Sequence, residues 1–312
     1  MALDEASPIS HHACVMVVGN FDGVHRGHQA VLSEAVADAR AAGLAAVVLT
    51  FDPHPGAVVG AGAPPRLSTI ERRAELMSAL GVDWIYVRKF DAAFASWSPE
   101  RFVRELVVQK LHAAVVVVGQ NFRFGSKRSG DLELLRALGT QMGFRVRVHQ
   151  VACDARGPFS STRAREAIAL GDIDEACSVL GRPHELSGAV VRGDARGRQL
   201  GFPTANLDPV PEMPPPNGVY AVTVDEVIGP GEARPLGMGV TNVGVRPTIT
   251  GAGNIKRTVE AHLLDFDGDL YGRLLRLHIR ARLRDEKRFA SLDELKAQIA
   301  VDVDCARLRL AP

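Results

Sequence analysis

Two imidazoles, His25 and His28, stand three positions apart with Gly27 between them. The residues before them, 17–24, read as the end of a buried strand, a Gly-rich turn and the approach to a helix. A helix N-terminus presents unpaired N–H groups and a positive partial charge to an anion. Glycines such as Gly19 and Gly27 let the backbone come close to it, with Phe21 and Asp22 completing the turn as candidate nucleotide contacts. Imidazoles donate to phosphoryl oxygens while charge shifts there. The chemistry this suits is nucleotidyl transfer, with His25 and His28 as the stabilising groups.

Such a turn needs a scaffold, and the first half of the chain supplies one by alternating strand and helix patterns. Residues 14–18 form an apolar run fit for a strand buried on both faces. Val31, Leu32, Ala35, Val36 and Ala39 fall on one helical face, and Gly43 stops that helix. Residues 45–51 are the next strand, ending in Asp52-Pro-His54-Pro. Ser68-x-x-Glu71 is a capping box opening a helix to about Leu80. A short strand follows at 84–88. Ser98-Pro99 reads as an N-cap with Pro at N1, and its helix runs to about Gln109. Strands at 113–119 and 145–150 flank a helix at 132–142. This alternation predicts an α/β doubly wound parallel sheet of Rossmann-like type, with ligands outside the carboxyl ends of the strands.

Past Gly181-Arg-Pro183 the pattern changes. Strand-like segments at 186–191, 218–224, 236–245, 258–264 and 274–283 follow without a helical period. Ser291-x-x-Glu294 caps one last helix to about Asp304. Short strands with a terminal helix predict a small β-barrel domain. The boundary is placed at 184/185, giving domains 1–184 and 185–312.

Composition narrows the partners. With 37 Lys and Arg against 36 Asp and Glu, the net charge of +1 gives no reason to expect nucleic acid or an anionic membrane. Residues 1–13 lack a signal-peptide core, and the apolar runs are too short to span a bilayer. The four cysteines form no C-x-x-C pair or zinc-ligand spacing. A cytoplasmic protein is expected, and its oligomeric state is not set by the sequence.

Seven pieces in order resemble the bacterial bifunctional riboflavin kinase/FAD synthetase (FMN adenylyltransferase) family. They are Gly19-Asn-Phe-Asp-Gly-Val-His-Arg-Gly-His28, Thr50-Phe-Asp-Pro-His-Pro55, Gly119-Gln-Asn-Phe-Arg-Phe-Gly125 and Ser160-Ser-Thr-Arg-Ala-Arg165, then three in the second half. Those are Gly193-Asp-Ala-Arg-Gly-Arg-Gln-Leu-Gly-Phe-Pro-Thr-Ala-Asn206, Asn242-Val-Gly-Val-Arg-Pro-Thr248, and Glu260-Ala-His-Leu-Leu-Asp-Phe266 with Asp269-Leu-Tyr-Gly272. The Gly-Phe-Pro-Thr-Ala-Asn piece is the most specific. Phe159 and Ala164 stand where the family pattern has Ile, and both are expected to pack beneath the motif. Lys127 and Arg128 sit in a loop of unassigned contribution.

For the first half the resemblance implies transfer of AMP from ATP to the phosphate of FMN, giving FAD and pyrophosphate. The FMN phosphate is itself the nucleophile, so the site must hold two polyanions in line. Asn121 is carried over as a contact to nucleotide or flavin phosphate. Ser160, Ser161 and Thr162 fit phosphate binding at a helix start, with Arg165 toward the leaving pyrophosphate. His54 is compatible with either a ligand contact or a loop role.

For the second half it implies phosphoryl transfer from ATP to riboflavin, giving FMN. A loop containing Gly193, Gly197 and Gly201 would cover the phosphates, with Pro203 stiffening the approach. Thr204 and Asn206, two apart in an extended segment, would share a face and hold Mg²⁺ with ATP. Glu260 would take the proton of the riboflavin hydroxyl. Riboflavin, FMN, FAD and ATP are thus the expected ligands. Three rivals stand beside this reading: an adenylyltransferase with a merely flavin-binding second domain, a flavin storage or sensing protein, and a cytidylyl- or pantetheine adenylyltransferase.

Overall fold

The protein is described as a computed structural model covering residues 2–3, 13–60, 62–193, 201–247 and 255–311. It divides into two compact units, Met1–Pro64 with Ile70–Ser160, and Pro65–Thr69 with Ser161–Pro312.

The first unit is built on β1 (Cys14–Val18), β2 (Ala45–Asp52), β3 (Trp84–Lys89), β4 (Ala113–Gly119) and β5 (Arg145–His149). All pairings are parallel and the spatial order is 3-2-1-4-5, with the two-residue strand Ala2–Leu3 outside β3. A central parallel strand is covered on both faces, so every residue of β1 is buried. Its alternation divides the core in two. Met16 and Val18 pack with Leu49, Val116 and Phe102 on one face. Val15 and Val17 pack with Leu32, Ala35 and Met77 on the other. The last group comes from α1 (Arg26–Ala41) and α2 (Ile70–Ala79).

Ser98 caps the next helix as its sequence predicts, its Oγ accepting from the Arg101 N–H at 3.2 Å. After Pro99–Arg101 the winding widens, and α3 (Phe102–Lys110) is a π-helix rather than the expected α-helix. Its last turn closes with Leu111 N–H on the Leu106 carbonyl, five residues back. The apolar stripe therefore advances in longer steps, through Phe102, Leu106 and Leu111, all buried. Helix α4 (Leu132–Met142) is capped by Asp131 and ends on Gly143 at φ 84°.

The second unit opens with α5 (Ser161–Leu170) and α6 (Ile173–Leu180). Six antiparallel strands then close a barrel: β6 (His184–Val191), β7 (Ala205–Leu207), β8 (Gly218–Gly229), β9 (Glu232–Pro247), β10 (Ile255–Leu263) and β11 (Leu274–Arg284). The order around it is 7-10-9-8-11-6, closed by the β6–β7 pairing. Leu186, Leu207, Tyr220, Val243, Val259 and Leu277 fill it, joined by Ile173 of α6. That contact is why this compact unit begins well before residue 185.

Helix α7 (Leu292–Leu310) lays Ala306 on Val219, Ala221 and Val240. It runs six residues past the expected end at Asp304. Ala306 is fully buried there, and Arg307 makes two bonds to Asp265 at 2.7 and 2.8 Å, so the last turns are held.

Candidate active sites

The chain leaves β1 at Val18 and enters α1 at Arg26 through a turn with unusual backbone. Phe21 (φ 51°), Gly23 (φ 81°) and Val24 (φ 40°) are all left-handed. Val24 is β-branched, so this conformation is strained and must be held from outside. The restraints are visible. Gln29 Nε2 donates to the Val24 carbonyl at 2.8 Å. Thr50 Oγ1 and Arg73 Nη1 both donate to the Asn20 carbonyl, at 3.1 and 3.2 Å. Arg73 Nη2 meets Asp22 Oδ1 at 3.0 Å, with side chains 4% and 5% exposed. Phe21 and Asp22 are therefore buried parts of the turn's frame.

His25 is the N-cap of α1, and its Nδ1 accepts the His28 N–H at 3.3 Å. Accepting there leaves the proton of the neutral ring on Nε2. The His28 ring stacks on it at 3.6 Å between centroids and meets the edge of Phe21 at 5.0 Å. Burial, then His25, then Arg73 hold the His28 pKa well below 6.5, so His28 is neutral at pH 7. Its Nδ1 is buried with no hydrogen-bond partner among the described residues, which also favours the neutral ring. A Cβ on Gly27 would lie 2.8 Å from the Phe159 carbonyl oxygen, so only glycine permits this packing. The buried Phe159 ring carries the Arg26 guanidinium 4.7 Å from its centroid.

Beside this turn, outside the carboxyl ends of β1, β2 and β4, is a cavity of ≈ 650 Å³. In a 3-2-1-4-5 sheet this is the point where the winding reverses, the expected place for a ligand. Gly19, Asn20, His54 and Asn121 line it together with Phe51, Phe90, Phe94, Trp97, Phe102, Phe122 and Phe124. Arg123, Lys127 and Arg128 stand at the same cavity, and no carboxylate lines it among the described residues. The arrangement suits a planar aromatic ligand that carries negative charge. His54 caps the short helix Pro55–Val58 through Nδ1, at 3.1 Å from the Gly56 N–H, and its Nε2 lies 3.1 Å from the Asn20 carboxamide.

Ser160 closes the first unit, while Ser161, Thr162 and Arg165 belong to α5 in the second. Arg165 Nε donates to the Pro65 carbonyl at 2.7 Å. Arg163 bonds Glu175 Oε1 at 2.6 Å and braces α5 to α6. Ala164 is fully buried.

In the barrel, Asn206 of β7 and Asn242 of β9 lie directly opposite Glu260 of β10, one on each side. Their neighbours Ala205, Leu207, Val243, Val259 and Ala261 point into the core, so the three polar side chains share the outer face. A Cβ on Gly193 would collide with the Asn206 carboxamide, so the Gly193 backbone runs against this side chain. Gly201 is left-handed at φ 85°. Gly197 lies outside the described residues. A cavity of ≈ 600 Å³ is lined by Pro203, Thr204, Ala205, Ala261 and the loop from Phe266 to Tyr271. Of the pair expected to share a face, Thr204 lines this cavity and Asn206 does not.

A family model described as FAD synthetase matches residues 7–163, and one described as riboflavin kinase matches residues 180–310. The chain is 42% identical over 302 residues to the bifunctional riboflavin kinase/FMN adenylyltransferase of Escherichia coli (strain K12), covering 96% of this chain and 94% of that one. The chain belongs to the bifunctional riboflavin kinase/FMN adenylyltransferase family. A second member, from Pseudomonas fluorescens, is 40% identical, with 97% and 94% covered. A crystal structure described as a macrolide-efflux protein from Streptococcus pneumoniae has a TM-score of 0.84 at 29% identity, covering 98% of each chain. Among the described residues, no helix is long and apolar enough to cross a membrane.

Two parts of the first candidate site lie outside every local sequence motif. Arg73 is 51 positions from Asp22, so no local motif contains the pair. A signal did exist: Arg73 is four residues before the buried Met77 and shares its helix face, and a cation on a buried face demands a partner. The aromatic lining was also missed, because its rings come from four separate segments that only the fold gathers.

Proposed function

We propose a residue-level division of labour for the family's two activities. The C-terminal half transfers a phosphoryl group from ATP to riboflavin, giving FMN. The N-terminal half joins AMP from a second ATP to the FMN phosphate, releasing pyrophosphate and giving FAD. Functionally, residues 1–184 form the adenylyltransferase domain and 185–312 the kinase domain, although α6 packs on the barrel and α5 on α6.

The observation that carries the adenylyltransferase reading is the pairing of two elements at the sheet's switch point. One is a helix N-terminus with two stacked histidines; the other is an aromatic cavity lined by cations. The flavin ring occupies the cavity, and Asn121 with the turn at Gly19 lies toward its phosphate. His28 donates to the α-phosphate as negative charge builds there. His25 holds the first turn of α1 in place and presents Nε2–H. Ser160, Ser161, Thr162 and Arg165 take the remaining phosphates.

In the kinase, Glu260 accepts the proton of the riboflavin hydroxyl as that oxygen attacks the γ-phosphorus and ADP leaves. Thr204 and Asn206 meet Mg·ATP through a hydroxyl and a carboxamide. With Glu260 these are hard oxygen donors, the set that suits Mg²⁺. Gly193, Gly197, Gly201 and Pro203 shape the cover over the phosphates. We place the protein in the cytoplasm, where ATP is available; its four cysteines are unpaired, as that setting favours.

The test is a time course with riboflavin and Mg·ATP. FMN should rise and then fall as FAD and pyrophosphate accumulate. Riboflavin bound without turnover would return the storage protein. FAD formed from FMN, but no FMN from riboflavin, would return the single-activity enzyme.

A further inference from the structure

We propose that His262 is a positioning residue of the kinase site, clamping the segment that carries Thr204 to the strand that carries Glu260. The proposal rests on the kinase reading above. Along β10, Val259, Ala261 and Leu263 point into the barrel. Glu260 and His262 therefore project together from the outer face.

The backbone ladder between β7 and β10 ends at Ala205 opposite Ala261. Beyond it, His262 Nδ1 lies 2.8 Å from the Pro203 carbonyl oxygen. A carbonyl only accepts, so Nδ1 carries the proton. Pro203 has no N–H, which leaves its carbonyl as the one backbone group by which it can be tethered. The His262 ring is itself held edge-on by Phe202, at 5.4 Å between centroids and 86°. Thr204 is thus fixed from both sides, by the ladder at Ala205 and by the imidazole at Pro203. Pro203 and Thr204 both line the barrel cavity. One side chain accordingly sets the distance between the oxygen donor on the entering segment and the carboxylate two residues away on β10.

The experiment compares full-length wild type, His262→Asn and His262→Gln. The Asn carboxamide nitrogen sits where Nδ1 sits, whereas the Gln nitrogen reaches the position of Nε2. H262N should form FMN within about threefold of wild type, and H262Q should raise the KM for Mg·ATP about tenfold, the loss of one aligned hydrogen bond. FAD formation from FMN, measured on the same samples, should not change in either variant. Equal kinetics for H262Q and wild type would overturn the proposal. So would equal loss in both variants together with a lowered barrel melting temperature, which would assign His262 to stability alone. Wild type that forms no FMN would instead remove the kinase reading itself.

Discussion

The two units carry opposite kinds of candidate site. In the first, the side chains proposed to act are packed into the unit. His25 is buried and caps a helix, and His28 is stacked on it. The turn before them is strained and held by a buried ion pair. In the barrel, Asn206, Asn242 and Glu260 are half-buried and stand on the outer face of a closed sheet whose interior is apolar. The difference teaches where activity and stability are separable. In the first unit a change at the site is also a change to packing. On the barrel's outer face a change at the proposed site should alter chemistry with little structural consequence.

The largest effect should come from breaking the ion pair that frames the phosphate turn. Arg73→Met leaves Asp22 buried without its cation, which costs about 3–5 kcal/mol. FAD formation should disappear and the first unit should melt early, while FMN formation persists. Denaturation monitored through the first unit, with both activities assayed below its transition, checks this. A variant of unchanged stability would break the comparison at its strongest point.

Next comes His28→Ala. Losing a preorganised donor to the transition state lowers turnover by about 10²–10³-fold. FAD formation from FMN should fall by that amount with FMN formation intact. Equal loss of both activities would contradict two separate sites. Glu260→Gln is the barrel's counterpart. FMN formation should fall about 10²-fold, the scale of a lost general base. Stability should change by no more than about 0.5 kcal/mol, as expected for a near-isosteric change at a half-exposed position. A large stability loss in E260Q would erase the contrast between the two units.

What the sequence made legible follows the same division. Strand and helix alternation was readable because a doubly covered strand must be apolar throughout, as Cys14–Val18 is. The helix caps at Ser98 and Ser291 were readable because they are local: each serine accepts from an N–H three residues on. The order 3-2-1-4-5 was not, since nothing local encodes which strands are neighbours. Strand β7, three residues bracketed by Pro203 and Pro209, is too short to leave a periodic signal. The π-winding of α3 escaped because Phe102, Val103, Leu106 and Val107 also fit an α-helical stripe. At the sites, chain neighbours such as His25 and His28 were found. Partners joined only by the fold were not: Arg73 to Asp22, and His262 to Pro203.

The smallest expected effect tests whether His28 is as neutral as its surroundings require. Its folded pKa lies well below 6.5, so between that depressed value and 6.5 the unfolded chain binds a proton that the folded chain refuses. Stability rises with pH wherever the unfolded state binds more protons. The His28 contribution is therefore fully present above about pH 6.5 and is lost as pH falls below it, by at most about 1.4 kcal/mol per unit. His28→Gln removes the titration and keeps a polar side chain of similar length. Melting curves of the first unit between pH 7.5 and 5.5 should therefore fall less steeply for the variant than for wild type. Parallel curves would mean that His28 is open to solvent and protonates freely, and the first site would then resemble the barrel's half-exposed face rather than a buried one.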